Sequence, residues 1–337
     1  MLRVGIVGFG FMGRMHYKCW KNQQKTQIIA ICDTNPNLVE DTHKAVGNIA
    51  GAADAVDFEG LTVYTDYAQM LRKAKLDAVS ITLPTHLHVD FATRALKRGI
   101  HVLCEKPMSL DVSGCKRMIA AAEKSGKVLQ IGHCVRFWPE YAKAKQIIAS
   151  GQYGKVLAVS LRRLSSAPTW SRDGWLNNTG LSGGMILDLH IHDTDFVQYI
   201  LGTPTAVQSV CAKAPSGAEI HVVTNYFYDD KAIVAEGGWA MMPPFGFEMS
   251  FNIMLEKATL VYDCTRTPAF RVCPAEGAVF TPPVEPGDGY SRQTDYFVQS
   301  ITARPAEPVL TLAESMESVR IVAAEIKSAR TGKTVRL

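Results

Sequence analysis

The spacing of apolar and polar positions changes once along the chain. As far as about residue 132, short continuous apolar runs recur: Leu2 to Val7, Gln27 to Cys32, Leu61 to Tyr64, Asp77 to Leu83, Val102 to Cys104 and Val128 to Gly132. Such runs need burial on both faces, as strands of a parallel sheet have. Between them the spacing is helical: Phe11 to Lys21, Pro36 to about Val46, a helix capped by Asp66, one running through Arg98 to Gly99, and Asp111 to Ser125. Asn48 to Gly60 reads as a loop with no assigned purpose. After a further helix from Pro139 to about Ser150, alternation takes over in Val156 to Arg163, Ala206 to Ala212, Ile220 to Tyr228, Ile233 to Ala240, Phe247 to Leu255 and Ala258 to Asp263. Helices over about Ser291 to Thr302 and Leu312 to Thr331 close the chain. The pattern predicts an α/β protein in two domains. Residues 1–133 form a doubly wound parallel sheet, and residues 134–337 an α+β domain with a large, mostly antiparallel open sheet. The uncovered face of that sheet is a surface for self-association, which predicts a homo-oligomer, dimer or tetramer.

The first strand runs into G-F-G-F-M-G, with glycines at 8, 10 and 13 and Phe11 and Met12 between them. That G-x-G-x-x-G spacing serves a tight turn, a close backbone approach to a pyrophosphate and close helix-to-strand packing. The helix behind it points its N-terminus at the phosphates. By chance alone such triplets are common, but here a second strand ends in Asp33, near the offset of roughly 20 residues at which an acid meets the adenosine ribose. Thr34 and Asn35 follow with no arginine for a 2′-phosphate, which favours NAD over NADP. Asp33 before Pro36 also reads as a helix cap. Together these features predict a Rossmann-type nucleotide site. Pro84, His86 and His88 in P-T-H-L-H, and Glu105 and Lys106, fall on the same carboxyl edge and count with the glycines as cofactor-facing residues, although a structural role for both histidines stands beside that reading.

Two further stretches carry candidate chemistry. V-L-C-E-K-P, residues 102–107, is a buried strand stopped by Pro107, which has no N–H to continue the ladder. Lys106 then sits where open α/β sheets bind ligands, whereas in an isolated tripeptide it would be a solvated loop lysine. G-G-M-I-L-D-L-H-I-H-D-T-D, from Gly183, opens a helix ending at Gly202. Asp188, His192 and Asp195 fall on one face, with His190 about 200° round from Asp188 at 100° per residue. A metal site using Asp188, His190 and His192 together is therefore poor, and no metal is expected. Asp188 and His192, one turn apart, read either as a carboxylate–imidazole pair or as a capping acid and a core histidine.

Composition narrows the partners. The chain of 337 residues is 47% hydrophobic and 20% charged with a formal charge of +4, ordinary for a globular protein and without a basic run for nucleic acid or a membrane surface. Eight scattered cysteines lack metal-ligand spacing and read as buried reduced thiols of a cytoplasmic protein. The apolar N-terminal stretch is broken by glycines and lacks a cleavage pattern, and no run is long enough to span a membrane.

With Gly8, Gly10 and Gly13, P-T-H-L-H, Glu105-Lys106-Pro107, and Gly183-Gly184 with Asp188 and His192 in place, the chain resembles the glucose-fructose oxidoreductase/inositol dehydrogenase/MocA (Gfo/Idh/MocA) family over essentially its whole length. The resemblance implies a nicotinamide cofactor, a sugar, cyclitol or related polyol as substrate, and Lys106, Asp188 and His192 at the positions of the family's catalytic lysine, aspartate and histidine. The residues suit that chemistry. His192 takes the hydroxyl proton, Lys106 stabilises the developing alkoxide and Asp188 keeps both placed. Trp170, Arg172, Trp175, Asn177 and Asn178 precede the catalytic helix. Trp170, Trp175 and Asn177, with Arg136 and Arg163, are candidate substrate contacts, although the tryptophans equally suit a loop anchor. An NAD-dependent dehydrogenase leads; an NAD-dependent glycosidase working by transient oxidation and elimination, and a non-catalytic nucleotide-sensing regulator, are the alternatives.

Overall fold

A computed structural model describes residues 1–40, 56–169, 171–303, 305 and 307–337. Its first sheet contains β1 (Leu2–Val7), β2 (Thr26–Cys32), β3 (Thr62–Tyr64), β4 (Ala78–Ile81), β5 (His101–Cys104) and β6 (Leu129–Ile131) in the order β3-β2-β1-β4-β5-β6. Every pairing is parallel. Val4 and Ile6 of β1, and Val102, Leu103 and Cys104 of β5, are wholly buried, which is why these runs carry no polar alternation. Helices Phe11–Asn22, Tyr67–Lys73, His88–Lys97 and Val112–Ser125 link the strands. Asp66 caps the second by accepting from the Gln69 N–H, and Asp111 caps the fourth by accepting from the Gly114 N–H at 2.7 Å. The strand order reverses at β1, between β2 and β4, the place where such sheets bind ligands. Of the helix expected from Pro36 to Val46, residues 36–40 form turns, while residues 41–46 and most of the loop Asn48 to Gly60 lie outside the described residues.

One boundary near residue 133 does not divide the chain cleanly. Met1–Cys134 is joined in the first compact unit by Thr169–Leu176 and Tyr290–Met316. The helix Gly289–Thr302 brings Phe297 edge-on to Trp20, with centroids 5.9 Å apart, and its Gln293 carbonyl accepts from Gln130 Nε2 at 2.9 Å. The apolar stripe of that helix completes a core containing Val4, Ile6, Ile31 and Leu103.

The second unit holds the remaining strands: β7 (Val156–Ser166), β8 (Ala206–Lys213), β9 (Glu219–Tyr228), β10 (Lys231–Met241), β11 (Phe247–Leu255), β12 (Ala258–Asp263), β13 (Phe270–Pro274) and β14 (Val335–Arg336). Their order is β13-β12-β11-β7-β10-β9-β8-β14, antiparallel except for the parallel pair β7–β10. The two outermost strands escape a reading of alternation: β14 is two residues long, and β13 is five residues ending in Pro274. On the inner face Tyr141 meets Phe196, Phe251 and Tyr262 at 4.7, 5.0 and 5.3 Å. Val210, Phe227 and Met254 are exposed.

Two arginines expected at the substrate are committed to this core. Arg136 is 1% exposed and donates through Nε and Nη2 to Asp195 at 2.8 and 2.9 Å, with its guanidinium 4.6 Å from the Tyr199 ring centroid. Ser318 Oγ donates to the same carboxylate at 2.8 Å. Arg163, 3% exposed, pairs with Asp193 at 2.8 and 3.1 Å. A buried guanidinium demands a carboxylate, and once paired it has little left for a substrate. Asp195, which the helical wheel groups with Asp188 and His192, is thus buried and taken up by Arg136, whereas the other two are half-buried. Of the eight cysteines, Cys211, Cys264 and Cys273 are half-buried rather than buried, and all eight are free thiols.

A second buried cluster joins His190, Thr194, Tyr226 and Glu325. Thr194 Oγ1 donates to Glu325 at 2.9 Å, and the Tyr226 hydroxyl lies 3.3 Å from His190 Nε2. Burial pushes the Glu325 carboxyl up to about 7 and the His190 imidazole down to about 3, so both are neutral over much of the range below pH 7.

Two outcomes follow from these cores. Asp195→Ala strands the Arg136 charge and is expected to cost about 3–5 kcal/mol in denaturant unfolding. Glu325 binds its proton more tightly folded than unfolded, so its contribution to stability is full below its unfolded pKa and is lost as pH rises toward 7. Melting curves of wild type should therefore fall over that window more steeply than those of Glu325→Gln, and parallel curves would remove Glu325 as the cause.

Candidate functional site

The glycine turn is built as the spacing demands. Gly8 has φ +83°, and a Cβ there would lie 2.8 Å from the Thr82 carbonyl oxygen. At Gly13 a Cβ would lie 2.2 Å from the Gly8 oxygen, so the helix could not approach the strand. Gly10 is exposed, and a Cβ there meets nothing within 4 Å among the described residues. The turn is thus closed by protein at its first and third glycines and open at the middle one, the position where a pyrophosphate would touch backbone. Phe11 and Met12, half-buried, begin the helix beyond it. These residues fit a dinucleotide.

Asp33 reaches the same edge. Its Oδ2 accepts from the Phe9 N–H at 2.7 Å and its Oδ1 from the Asn35 N–H at 2.8 Å. The acid is therefore fixed against the glycine turn, where a cap alone would not need to be. Across the switch point Pro84 and the exposed His86 begin the next connection. His88, by contrast, is 1% exposed, and its ring nitrogens each lie 2.8 Å from a carbonyl oxygen, Nδ1 from Pro107 and Nε2 from Leu83. It is a clamp within the protein, so its place among cofactor contacts is withdrawn. Burial pushes its imidazole below the ordinary value, while the two carbonyls, each calling for an N–H, pull the other way.

Lys106 stands between two such clamps. The preceding Glu105, 6% exposed, faces His16 Nε2 at 2.9 Å. His16 Nδ1 in turn faces Ser80 Oγ at 2.7 Å, and Ser80 accepts from Trp20 Nε1 at 3.0 Å. Trp20 can only donate, so Ser80 is free to give its own proton to Nδ1, leaving Nε2–H to donate to the carboxylate. Burial alone would raise the Glu105 carboxyl; the His16 hydrogen bond and the nearby charge of Lys106 hold it below the usual range. Glu105 is thus a buried anchor rather than a cofactor contact, and it fixes the residue before Lys106 as His88 fixes the one after. The Lys106–Pro107 peptide is cis, and Lys106 itself is half-buried. His16 was invisible to motif reading: nothing but its place one turn past Gly13 hints at a partner 89 residues away.

In the second unit, the helix expected from Gly183 runs without a break over residues 184–201 but is not α-helical throughout. Thr179–Ser182 forms a separate α-helical turn before it, Gly183 takes φ +82°, and Ile186–His190 is a π-turn that leads into the α-helix Ile191–Leu201. The π-turn widens the spacing within it, so 100° per residue does not hold there. Asp188 and His192 are both half-buried, while His190 is turned into the core. Asn177 is exposed and its Nδ2 donates to the Pro168 carbonyl at 3.2 Å. It borders, with Thr179, Met185, Ser216 and Trp239, a cavity of about 260 Å³. Trp175 is half-buried in the first unit, and Trp170 lies outside the described residues. The structure therefore gathers Gly8, Gly10, Gly13 and Asp33 at one edge of the first unit, mounts Lys106 on a strand end of the same sheet, and sets Asp188 and His192 on one helix of the second.

Comparison with known proteins agrees with this architecture. Residues 2–133 match a family model described as an oxidoreductase family with an NAD-binding Rossmann fold, and residues 141–261 match a GFO/IDH/MocA C-terminal domain. The uncharacterized oxidoreductase YrbE of Bacillus subtilis (strain 168) is 25% identical, over 99% of this chain and 96% of its own. A D-xylose 1-dehydrogenase (NADP(+)) of Haloferax volcanii is 27% identical, over 93% of this chain and 98% of its own. Among solved structures, an aldose-aldose oxidoreductase from Caulobacter crescentus complexed with glycerol superposes with a TM-score of 0.83 at 23% identity, covering 100% of this chain and 99% of that one. By the matched models in both halves and by its fold, the chain belongs to the Gfo/Idh/MocA oxidoreductase family.

Proposed function

We propose that this protein is a dehydrogenase that moves a hydride between a secondary hydroxyl of a sugar, cyclitol or related polyol and a nicotinamide dinucleotide, with NAD preferred. The observation that carries the reading is the glycine turn, closed at Gly8 and Gly13 and open at Gly10, with Asp33 fixed beside it. The bound nicotinamide supplies the carbon that accepts or returns the hydride. Backbone of Gly8 to Gly13 receives the pyrophosphate, and Asp33 accepts hydrogen bonds from the adenosine ribose hydroxyls. Lys106, anchored on both sides, donates to the reacting oxygen and stabilises the alkoxide. His192 takes the hydroxyl proton during oxidation and gives it back during reduction, and Asp188 orients its imidazole. Trp239, Asn177, Thr179 and Ser216 around the cavity offer an apolar face and hydrogen-bonding groups, the mixture a polyol presents in return. The sugar dehydrogenase among its relatives supports the substrate class.

A panel of sugars, cyclitols and aryl glycosides with NAD, following NADH and glycoside cleavage together, tests the reaction. Stoichiometric NADH is expected; cleavage without NADH would make the protein a glycosidase, and silence throughout the panel would remove the dehydrogenase assignment for those substrates. On the best substrate, Lys106→Ala and His192→Ala should each lower kcat by about 10²–10⁴-fold, the range of acid–base and oxyanion contributions. Near-normal turnover in either would end that residue's role. Asp33→Asn should weaken NAD about tenfold, the loss of a charge-assisted hydrogen bond, and narrow its advantage over NADP; an unchanged ratio would refute the ribose contact.

A further inference from the structure

The residues that follow Asp33 in sequence carry no cation, and on that ground a 2′-phosphate has nothing to hold it. The fold supplies one from elsewhere. Arg172, 139 positions later, lies with Nη1 3.5 Å from Asp33 Oδ1. It belongs to Thr169–Leu176, the short segment that joins the first compact unit although its neighbours in sequence belong to the second. Asp33 keeps its two backbone partners, the N–H groups of Phe9 and Asn35, so the guanidinium is an addition to a carboxylate already held in place.

Most of Arg172 remains available. Its side chain is 62% exposed, against 14% for Asp33, and among the described residues the next carboxylate, that of Asp173, is 4.0 Å from its Nε. A guanidinium carries five N–H donors in a planar fork, and the one directed at Asp33 leaves others for a ligand. A second cation lies close to the turn. Arg14, 6% exposed, sits over the ring of Phe9, the residue whose N–H Asp33 accepts, with its carbon 5.6 Å from the centroid and Nη1 without a hydrogen-bond partner among the described residues. Positive charge thus stands at the acid end of β2 in Arg172, with Arg14 beside the glycine turn.

A carboxylate facing a ribose repels a 2′-phosphate; an arginine within reach of the same oxygens reverses that by pairing with phosphate in two parallel hydrogen bonds. We propose that Arg172 is the 2′-phosphate-binding residue of this protein, so that its nucleotide site takes NADP as well as NAD, Asp33 serving the ribose hydroxyls of one and Arg172 the phosphate of the other. The proposal rests on reading this edge as the dinucleotide site, and it changes the expected selectivity from exclusion of NADP to a modest preference for NAD.

Calorimetric titration of the full chain with NAD, NADP, 5′-AMP and adenosine 2′,5′-bisphosphate tests it without turnover. Wild type is expected to bind NADP, with an affinity that falls more steeply with salt than that of NAD. Arg172→Ala should weaken NADP and the bisphosphate about tenfold or more relative to NAD and 5′-AMP, as expected for a lost charge-assisted contact, and remove the extra salt dependence. Arg172→Lys should restore part of it. Equal weakening of all four ligands, no change for NADP, or no NADP binding by wild type while NAD binds, would each overturn the proposal and leave the dinucleotide site standing. Binding of none of the four by wild type would overturn both.

Discussion

The constraint on which the first unit depends is a buried carboxylate. Glu105 sits at the end of a central strand with almost no access to water, where an unpaired negative charge would be untenable. Its partner, His16, comes from the helix after the glycine turn, and His16 is itself held by Ser80 of β4, which Trp20 supports. One polar chain therefore ties the glycine-turn helix, β4 and the end of β5 at fixed spacing. In a dry interior each member is worth keeping only if all are present, because removing one leaves the others unsatisfied. The demand for charge balance and the demand for a precisely held lysine are met by the same atoms.

The second unit solves the same problem differently. Its central helix carries three acids close together, Asp188, Asp193 and Asp195, yet two of them point inward to meet arginines from elsewhere in the unit. Of the acids and histidines on this helix, Asp188 and His192 are the ones left half-buried rather than buried. The π-turn over Ile186–His190 is where the helix changes register between these two demands. Such bulges are frequent at functional sites, where one extra residue re-aims the side chains around it.

What could be read in the sequence was local. Continuous apolar runs betray strands buried on both faces, and β11 and β12 begin and end where alternation does. The glycine turn was legible because its physics is confined to six consecutive residues. Long-range pairing was not. Arg136 and Arg163 have the composition of substrate ligands, and only the positions of Asp195 and Asp193 in space reveal them as core ion pairs. Arg172 shows the reverse error: nothing near it in sequence associates it with Asp33. A helical wheel also could not show that Asp195 is taken up by Arg136, nor that a π-turn lies under Asp188.

The helix Gly289–Thr302 has a consequence for synthesis. Trp20, Ile6 and Leu103 are made early, but Phe297 and Val298, which close their core, are added after the whole run from β7 to β13. A ribosome that adds roughly 5–20 residues per second leaves that apolar face uncovered for on the order of ten seconds. During that interval the parallel sheet is a client for whatever shields nascent chains.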